Sequence, residues 1–293
     1  AAQELGYLPN KAARALRSGR SRLVALAVPD VSNPYFAGVL QGADQAARKY
    51  GYAVMLASVR DEQDWQSAVL DALVSRAVDG FLLCTLQPPT VREQTALEGK
   101  AVMVDASGGG LPSLQLDIEE GMHVAVSHLL RLGHTKIAHL AADVDAETFH
   151  RRHQAYLDAL QSAGVPVTAA YQVRAPFSIA ETCEAACRIL ELPDPPSAFV
   201  CDSDVLAVGV YKAARDLQRL IPRDLSVVSF DDSVIARILD PELTTVAIPA
   251  RAIGEQALQL LLAVLEEDDV PSRTTVPLEL VIRASTSAVS SRE

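Results

Sequence analysis

Acidic side chains follow three of the short apolar segments of the sequence, at points where a buried strand is expected to end. They are Asp105 after AVMV, Asp202 and Asp204 after SAFVC, and Asp231 with Asp232 after LSVVSF. In open α/β sheets a ligand binds beyond the carboxyl ends of the strands. Because carboxylates accept hydrogen bonds from paired hydroxyl groups, these segments together predict a site for a sugar-like molecule. An alternative for Asp202 or Ser203 is to cap the helix that follows.

Two adjacent aromatic residues, Tyr35 and Phe36, open the helix that follows the first apolar segment. The sequence before them, PDVSNP, is typical of a strand that stops and a helix that begins. Aromatic residues make up 5% of the chain, so two neighbours at a strand end favour stacking on a planar or sugar-like ligand. The alternative is packing beneath a neighbouring loop.

A basic group, HRRH at residues 150–153, lies on a predicted helix. Within it, Arg152 is expected to offer paired hydrogen bonds to hydroxyl groups or to a carboxylate. Histidine pairs of this kind are more often surface or core residues than metal ligands, so no metal is predicted. The sequence has no GxGxxG, GxxxxGK[ST], GxSxG or HExxH motif, and therefore no cofactor, catalytic nucleophile or enzymatic activity is predicted.

The elements that must position these residues alternate regularly along the chain. From Leu23 onward, short apolar segments rich in β-branched residues alternate with longer amphipathic ones. This alternation predicts an α/β protein with two lobes, each a doubly wound parallel sheet, joined by three crossings. Residues 106–116 lack helical periodicity and are expected to cross between the two sheets, and residues 274–286 (TTVPLELVIRAST) are expected to form a single final strand.

The charge of the chain is divided unevenly. The net charge is −11, yet residues 1–22 contain five basic residues and one acidic residue. Because the acidic remainder would repel a polyanion, any contact with DNA is expected at this basic end. The alternative is a solubilising terminus. No apolar segment approaches the roughly 20 residues needed to cross a bilayer, and no leader precedes them. A cytoplasmic protein without membrane contact is therefore expected.

The order and spacing of several short motifs resemble those of the LacI/GalR (lactose-repressor) family of bacterial transcription regulators. The matching motifs are YLPN with Ala13, Arg14 and Leu16; NPYF at 33–36; VDG at 78–80; Gly133-His134; Arg152; Asp204 with Ala207 and Gly209; Ile221-Pro222 through DLSVVSFDD; Pro241 with LTTV; and Arg283 with Ser285-Thr286. Each motif is weak alone, but the set spans almost the whole chain.

The resemblance implies a helix-turn-helix headpiece, a short hinge helix, and a periplasmic-binding-protein-like core of type I that binds an effector and forms a homodimer. Residues 1–22 would be the end of the headpiece, most of which is expected to lie outside this sequence, and the hinge helix. Residues 23–116 with 250–275 would form the N-terminal lobe. Residues 117–247 with 276–289 would form the C-terminal lobe.

The resemblance also assigns binding residues. The implied effector contacts are Tyr35, Phe36, Asp105, Thr148, Arg152, Phe177, Asp204 and Asp231. The implied DNA contacts are Asn10, Ala13, Arg14, Leu16 and Arg17, with Ala13 and Leu16 facing the minor groove and the arginines near phosphates. Ser203 departs from the asparagine that sugar-responsive members often have. So short a hinge helix is not stable alone, and residues 1 to about 20 are expected to lack helical order without DNA.

These features predict a ligand-responsive repressor whose sugar-like effector controls hinge-helix ordering and operator affinity. A solute-binding receptor for sugar uptake is the main alternative, since it shares the core fold, but it would need an export signal. An NAD-dependent sugar enzyme is a further alternative that lacks its glycine-rich turn.

Overall fold

The computed structural model describes residues 20–59, 71–72, 77–84 and 89–289. The predicted DNA contacts lie outside these residues: Asn10, Ala13, Arg14, Leu16 and Arg17. The expectation that residues 1 to about 20 lack helical order lies outside them as well, except at Arg20.

Strands and helices alternate along the described chain. The strands are Leu23–Val28 (β1), Ala53–Ser58 (β2), Gly80–Leu83 (β3), Ala101–Val104 (β4), Ser113–Leu116 (β5), Ile137–Ala142 (β6), Gln172–Ala175 (β7), Ala198–Cys201 (β8), Ser226–Asp231 (β9), Thr244–Ala247 (β10), Arg273–Val276 (β11) and Glu279–Val281 (β12). The helices are Pro34–Lys49 (α1), Val91–Leu97 (α2), Ile118–Arg131 (α3), Glu147–Ser162 (α4), Ile179–Leu190 (α5), Asp204–Asp216 (α6), Val234–Ile238 (α7) and Ala250–Leu265 (α8).

The strands form two six-stranded sheets, one in each lobe. The first sheet has the order β11-β5-β4-β3-β1-β2, and the second has the order β12-β10-β9-β8-β6-β7. Neighbouring strands from β5 to β2 and from β10 to β7 run parallel, whereas β12 runs antiparallel to β10. The predicted fold class, two doubly wound parallel-sheet lobes, is confirmed.

Two compact units correspond to the sheets. One contains the described residues up to Gln115 together with Ala250–Thr274, and the other contains Leu116–Pro249 with the described residues from Thr275 onward. The chain therefore passes between the units at three points. In the second unit, Ala138, Leu140 and Ala142 of β6 pack in a core cluster with residues of α5 and α6.

The predicted crossing at residues 106–116 contains the boundary between the two units, at Gln115 and Leu116, but its last four residues form a strand that was not predicted. Residues 113–116 form β5, which pairs with β4 through Met103 and Ser113. The sequence did not predict this strand because two of its buried residues, Ser113 and Gln115, are polar, whereas the predicted strands are apolar throughout. Ser113 donates a hydrogen bond to the carbonyl of Ser272 and accepts one from the Gln115 amide, so burial leaves these groups satisfied.

The prediction of one final strand over residues 274–286 is wrong. The segment divides at Pro277, so that β11 joins the first sheet and β12 pairs with β10 in the second. Proline has no N–H to donate to a ladder, which explains why neither strand extends through it. One short segment therefore contributes a strand to the sheet of each lobe.

Helices α1 and α8 of the first lobe cross in close contact through two glycines. A Cβ atom added at Gly42 would lie 1.9 Å from the carbonyl oxygen of Arg251, and one added at Gly254 would lie 2.0 Å from that of Val39. Each glycine thus allows the backbone of the other helix to approach. Any side chain at either position would force the two helices apart.

We predict that Gly254→Ala lowers the free energy of unfolding by about 1–3 kcal/mol, because overpacking the crossing outweighs the helix propensity of alanine. Gln41→Ala, at an exposed position of α1, is the matched control and is expected to change stability little. Urea unfolding of both variants measures the effect. A Gly254→Ala protein as stable as the wild type would show that the helices cross less closely than described.

Candidate functional site

In the first lobe, Tyr35 and Phe36 lie in the first turn of α1, beyond the carboxyl end of β1. The Asn33 side chain caps this helix by accepting a hydrogen bond from the Tyr35 N–H at 3.0 Å, and Pro34 occupies the first helical position. The two rings meet edge to face, with centroids 5.0 Å apart. Tyr35 is buried and Phe36 is half-buried.

Asp105 follows β4 at the same edge of the first sheet, with β3 between β4 and β1. Its backbone has a φ of 57°, in the left-handed region that non-glycine residues seldom adopt. The Asp105 N–H donates to the carbonyl of Leu114 at 2.8 Å, which holds this conformation. Backbone strain of this kind is often found at binding sites.

In the second lobe, the remaining predicted effector contacts follow four neighbouring strands, β9, β8, β6 and β7. Asp231 ends β9, Asp204 follows β8, Phe177 follows β7, and Thr148 and Arg152 lie on α4, which follows β6. Because the carboxyl ends of parallel strands meet at one edge of a sheet, these residues lie at that edge.

The Arg152 side chain is 3% exposed, and its guanidinium group lies against two aromatic rings. Its guanidinium carbon lies 4.4 Å from the centroid of the Phe230 ring and 5.4 Å from that of Phe149. The faces of these rings stabilise the buried positive charge. Nη1 donates a hydrogen bond to the main-chain carbonyl of Asp202, whereas the buried Nε has no hydrogen-bond partner among the described residues.

Thr148 lies one turn before Arg152, on the same face of α4. Its Oγ1 atom is also buried and has no hydrogen-bond partner in the part of the chain that the structure describes. A buried polar group without a partner costs about 1–3 kcal/mol, so two on one helix face need an explanation. A bound molecule with oxygen atoms at this face would satisfy both groups.

Sequence reasoning missed two aromatic residues of this region, Phe149 and Phe230. The Phe149 ring lies 6.0 Å from that of Phe177, centroid to centroid, and both Phe149 and Phe230 contact the Arg152 guanidinium. The available signal was position: Phe149 follows Thr148 directly, and Phe230 precedes Asp231.

Asp231 is joined to the start of α6 through Ser203. The Ser203 hydroxyl donates to Asp231 Oδ2 at 2.7 Å and accepts from the Val205 N–H at 3.2 Å. Of the two capping alternatives, Ser203 is therefore confirmed as the N-cap. Burial and the nearby charge of Asp204 raise the pKa of the Asp231 carboxyl to about 7, although Arg152 opposes this shift.

Asp204 is fully buried, and both of its carboxylate oxygens are engaged by the protein. One accepts from the hydroxyls of Ser229 and Thr245, and the other accepts from the N–H and hydroxyl of Ser233. Burial raises the pKa of the Asp204 carboxyl despite these hydrogen bonds. The contacts tie α6 to β9, to β10 and to the start of α7.

The described residues bring no three His, Cys, Asp or Glu side chains together in a group that could hold a metal ion. Among the helices of the described ranges, none combines the length and apolar character needed to cross a membrane.

We predict that Asp231→Asn stabilises the protein without ligand, and more so at high pH. The folded protein holds the Asp231 proton up to about pH 7, whereas the unfolded chain loses it near 3.8, so stability is lost as pH rises between these values. Asparagine cannot ionise. At pH 8 the free energy of unfolding of the variant is therefore expected to exceed that of the wild type by about 1–3 kcal/mol.

At pH 4, where the folded protein holds the Asp231 proton, the difference is expected to nearly vanish. Urea unfolding of both proteins at pH 4 and pH 8 measures this difference in the free energy of unfolding. Asp143→Asn, at an exposed aspartate paired with Arg174 at 3.4 Å, is the matched control and is expected to have little effect. Equal stability of wild type and Asp231→Asn at pH 8 would contradict the cost assigned to this carboxylate.

Comparisons with known proteins agree with this architecture. A family described as a periplasmic binding protein-like domain matches residues 126–286. The HTH-type transcriptional repressor CytR of Escherichia coli strain K12 is 32% identical over 294 residues, which cover 99% of this chain and 86% of the repressor.

Solved structures show the same relationship. A LacI family transcriptional regulator from Mycobacterium smegmatis is 30% identical, with a TM-score of 0.79 over 91% of this chain and 100% of that one. The transcriptional regulator CelR, solved as a complex with cellobiose, is 26% identical, with a TM-score of 0.81 over 97% of this chain and 88% of that one. These similar proteins are regulators of transcription rather than enzymes. The chain belongs to the LacI family of transcriptional regulators.

Proposed function

We propose that this chain is a ligand-responsive transcriptional repressor whose core binds a sugar or sugar derivative and thereby controls operator affinity. The proposal rests on one observation above the others: two buried polar atoms on one face of α4, Arg152 Nε and Thr148 Oγ1, have no hydrogen-bond partner within the described ranges. A ligand with several oxygen atoms would supply the acceptors and donors that these groups lack.

The contacts proposed for the second lobe follow from the chemistry of each side chain. Arg152 donates to ligand oxygens from its Nε, and Thr148 exchanges a hydrogen bond through its hydroxyl. The Phe149 and Phe177 rings, 6.0 Å apart, pack against the apolar face of a sugar ring. Asp231 accepts hydrogen bonds from ligand hydroxyls when ionised.

Two residues of the second lobe, Ser203 and Asp204, support the site without contacting the ligand. The Ser203 hydroxyl is engaged with Asp231, so it orients this carboxylate rather than contacting the ligand. Asp204, with both oxygens engaged by protein donors, acts on the site through Ser233 and Thr245. Tyr35, Phe36 and Asp105 are the contacts proposed from the first lobe.

The ligand class is supported by the site chemistry and by one similar protein, the regulator CelR, which was solved with cellobiose. We propose that binding changes the arrangement of the lobes and so decides whether the hinge helix at Asn10 to Leu16 orders on operator DNA. Ala13 and Leu16 would enter the minor groove, with Arg14 and Arg17 at phosphates. Couplings of this kind are typically about 1–3 kcal/mol.

We also propose that the protein acts as a homodimer. In the second lobe, Val234 and Ile238 of α7 are 68% and 72% exposed and lie on one face of the helix. Pairing would remove this apolar surface from water. Sedimentation velocity of the full chain tests the proposal, and a monomer at micromolar concentration would contradict it.

The effector site is tested by thermal unfolding in the presence of sugars and sugar phosphates. A compound present at 100 times its Kd adds about 2.7 kcal/mol of stability, which raises the Tm by about 5 °C in a protein of this size. We predict that Arg152→Lys reduces this shift to about half or less, since lysine keeps the charge but cannot donate from the position of Nε. Isothermal titration is expected to show affinity weakened at least about tenfold.

Arg151→Lys is the matched control, because Arg151 neighbours Arg152 but pairs with Glu119 at 2.6 Å. It is expected to respond to the compound as the wild type does. A full shift in Arg152→Lys would remove this residue from the site. Absence of a shift in the wild type with every compound would overturn the proposed ligand class.

A further inference from the structure

One carboxylate of the first lobe lies at the edge of the sheet opposite to the proposed effector contacts. Asp79 directly precedes β3, which pairs with β1 in parallel, so Asp79 lies beside the residues that precede β1. Its side chain is half-buried. It belongs to the VDG motif at residues 78–80, to which the proposed function gives no role.

Three donors from the chain before β1 converge on the Asp79 carboxylate. Oδ1 accepts hydrogen bonds from the Ser21 N–H at 2.6 Å and from the Ser21 hydroxyl at 2.8 Å. Oδ2 accepts from the Arg22 N–H at 3.0 Å. Hydrogen bonds to a carboxylate are roughly twice as strong as those between neutral groups. One side chain therefore binds two successive residues of the main chain, an arrangement called here the Asp79 anchor.

The main chain at Arg22 is held in a conformation that it would not adopt freely. Its φ is 59°, in the left-handed region, where a residue other than glycine persists only if its surroundings hold it. The Arg22 carbonyl accepts from the Ala53 N–H at 3.0 Å. The guanidinium carbon lies 5.0 Å from the centroid of the Tyr52 ring, and Nη1 donates to the Tyr50 carbonyl at 3.4 Å.

Two of the five basic residues among residues 1–22 are thus bound by the first lobe itself. Arg22 is held as described, and Arg20 Nη2 donates to the carbonyl of Leu265, the last residue of α8, at 3.3 Å. A cation is favoured at this end of a helix. The proposed phosphate contacts, Arg14 and Arg17, precede both of these residues in the sequence.

We propose that Asp79 is a positioning residue for operator binding: by holding Ser21 and Arg22 on the first lobe, it fixes the point from which the proposed DNA contacts extend. Its effect on operator affinity rests on the proposed function, whereas the anchor itself does not. Ser21 follows Arg17 by four residues, which span at most about 14 Å when fully extended, so the position of Ser21 limits where Arg17 can reach a phosphate.

The physical basis is the entropy that binding must otherwise overcome. Fixing a main-chain residue in one conformation costs free energy, and residues that are already fixed in the free protein do not add this cost when DNA binds. Loss of the Asp79 anchor therefore lowers operator affinity without removing any contact with DNA.

Asp79→Asn tests the anchor in the protein without DNA. Whichever way the asparagine amide is turned, its NH₂ group replaces one of the two acceptors that face Ser21 and Arg22. We expect the amide protons of these two residues to exchange with solvent at least about tenfold faster than in the wild type, the effect of losing one hydrogen bond to a charged group. Hydrogen exchange followed by NMR measures these rates.

The same variant tests the effect on DNA. Fluorescence anisotropy of the full-length protein is measured on a duplex from its own regulatory region, in the ligand state in which the wild type binds more tightly. We expect Asp79→Asn to bind at least about tenfold more weakly. Because the phosphate contacts are unchanged, the slope of log affinity against log salt concentration is expected to equal that of the wild type.

The direction of the effect separates positioning from charge. Asp79→Asn removes a negative charge, which by itself would strengthen binding to a polyanion. Asp44→Asn is the matched control, because it removes the same charge from an exposed residue of α1 that pairs with Arg48 at 2.9 Å. This control is expected to bind the operator at least as tightly as the wild type and to leave the exchange of the Ser21 amide unchanged.

Ser21→Ala removes only the hydroxyl donor of the Asp79 anchor, and it decides the question if Asp79→Asn fails to fold. We expect faster exchange of the Arg22 amide and operator affinity lowered by about two- to fivefold, since two of the three donors remain. Exchange and affinity equal to those of the wild type in this variant would overturn the proposal.

Unchanged amide exchange in a folded Asp79→Asn protein would overturn the anchor, and an operator affinity equal to or above that of the wild type would overturn its role in DNA binding. A wild type that binds no operator would instead overturn the proposed function. The two failures are distinguishable, because amide exchange is measured without DNA or effector.

Discussion

The burial of one guanidinium group is the constraint on which the second lobe depends. Arginine does not lose its charge in proteins, so Arg152, at 3% exposure, must be compensated where it lies. The compensation comes from the faces of Phe149 and Phe230 and the carbonyl of Asp202, and above about pH 7 from the charge of Asp231 as well. These groups come from two strand ends and one helix, so the order of the strands in the sheet brings them together around the charge.

The groups around Arg152 need partners of their own, which extends the network through the lobe. Ser203 donates a hydrogen bond to Asp231, and His139 is hydrogen-bonded to Asp202. Asp204 joins α6 to β9 and β10. Two polar atoms of this network, Arg152 Nε and Thr148 Oγ1, have no hydrogen-bond partner among the residues that the structure describes. A site arranged in advance for a ligand gives up part of the stability of the empty protein. The left-handed backbone of Asp231, with φ of 115°, is a second instance of this cost.

Much of this structure could be predicted from the sequence, and the misses have physical causes. Continuous apolar segments predicted the parallel strands, whereas β5 was hidden because Ser113 and Gln115 satisfy each other only once folded. Residue type and strand-end position selected Arg152 and Asp231, while Thr148 and Phe177 came from family resemblance. The pairing of His139 with Asp202 was not predictable, since it joins residues 63 positions apart on different strands.

Operator binding tests the central claim, that a ligand held by Arg152 controls DNA affinity. Fluorescence anisotropy of the full-length gene product on a duplex from its own regulatory region is the measurement, with and without the compound that stabilises the protein most. The account predicts a change in operator affinity of about 5- to 150-fold; in Arg152→Lys, whose operator affinity without the compound equals that of the wild type, this change requires a compound concentration at least about tenfold higher. Equal operator affinity of the wild type with and without a bound compound would contradict it.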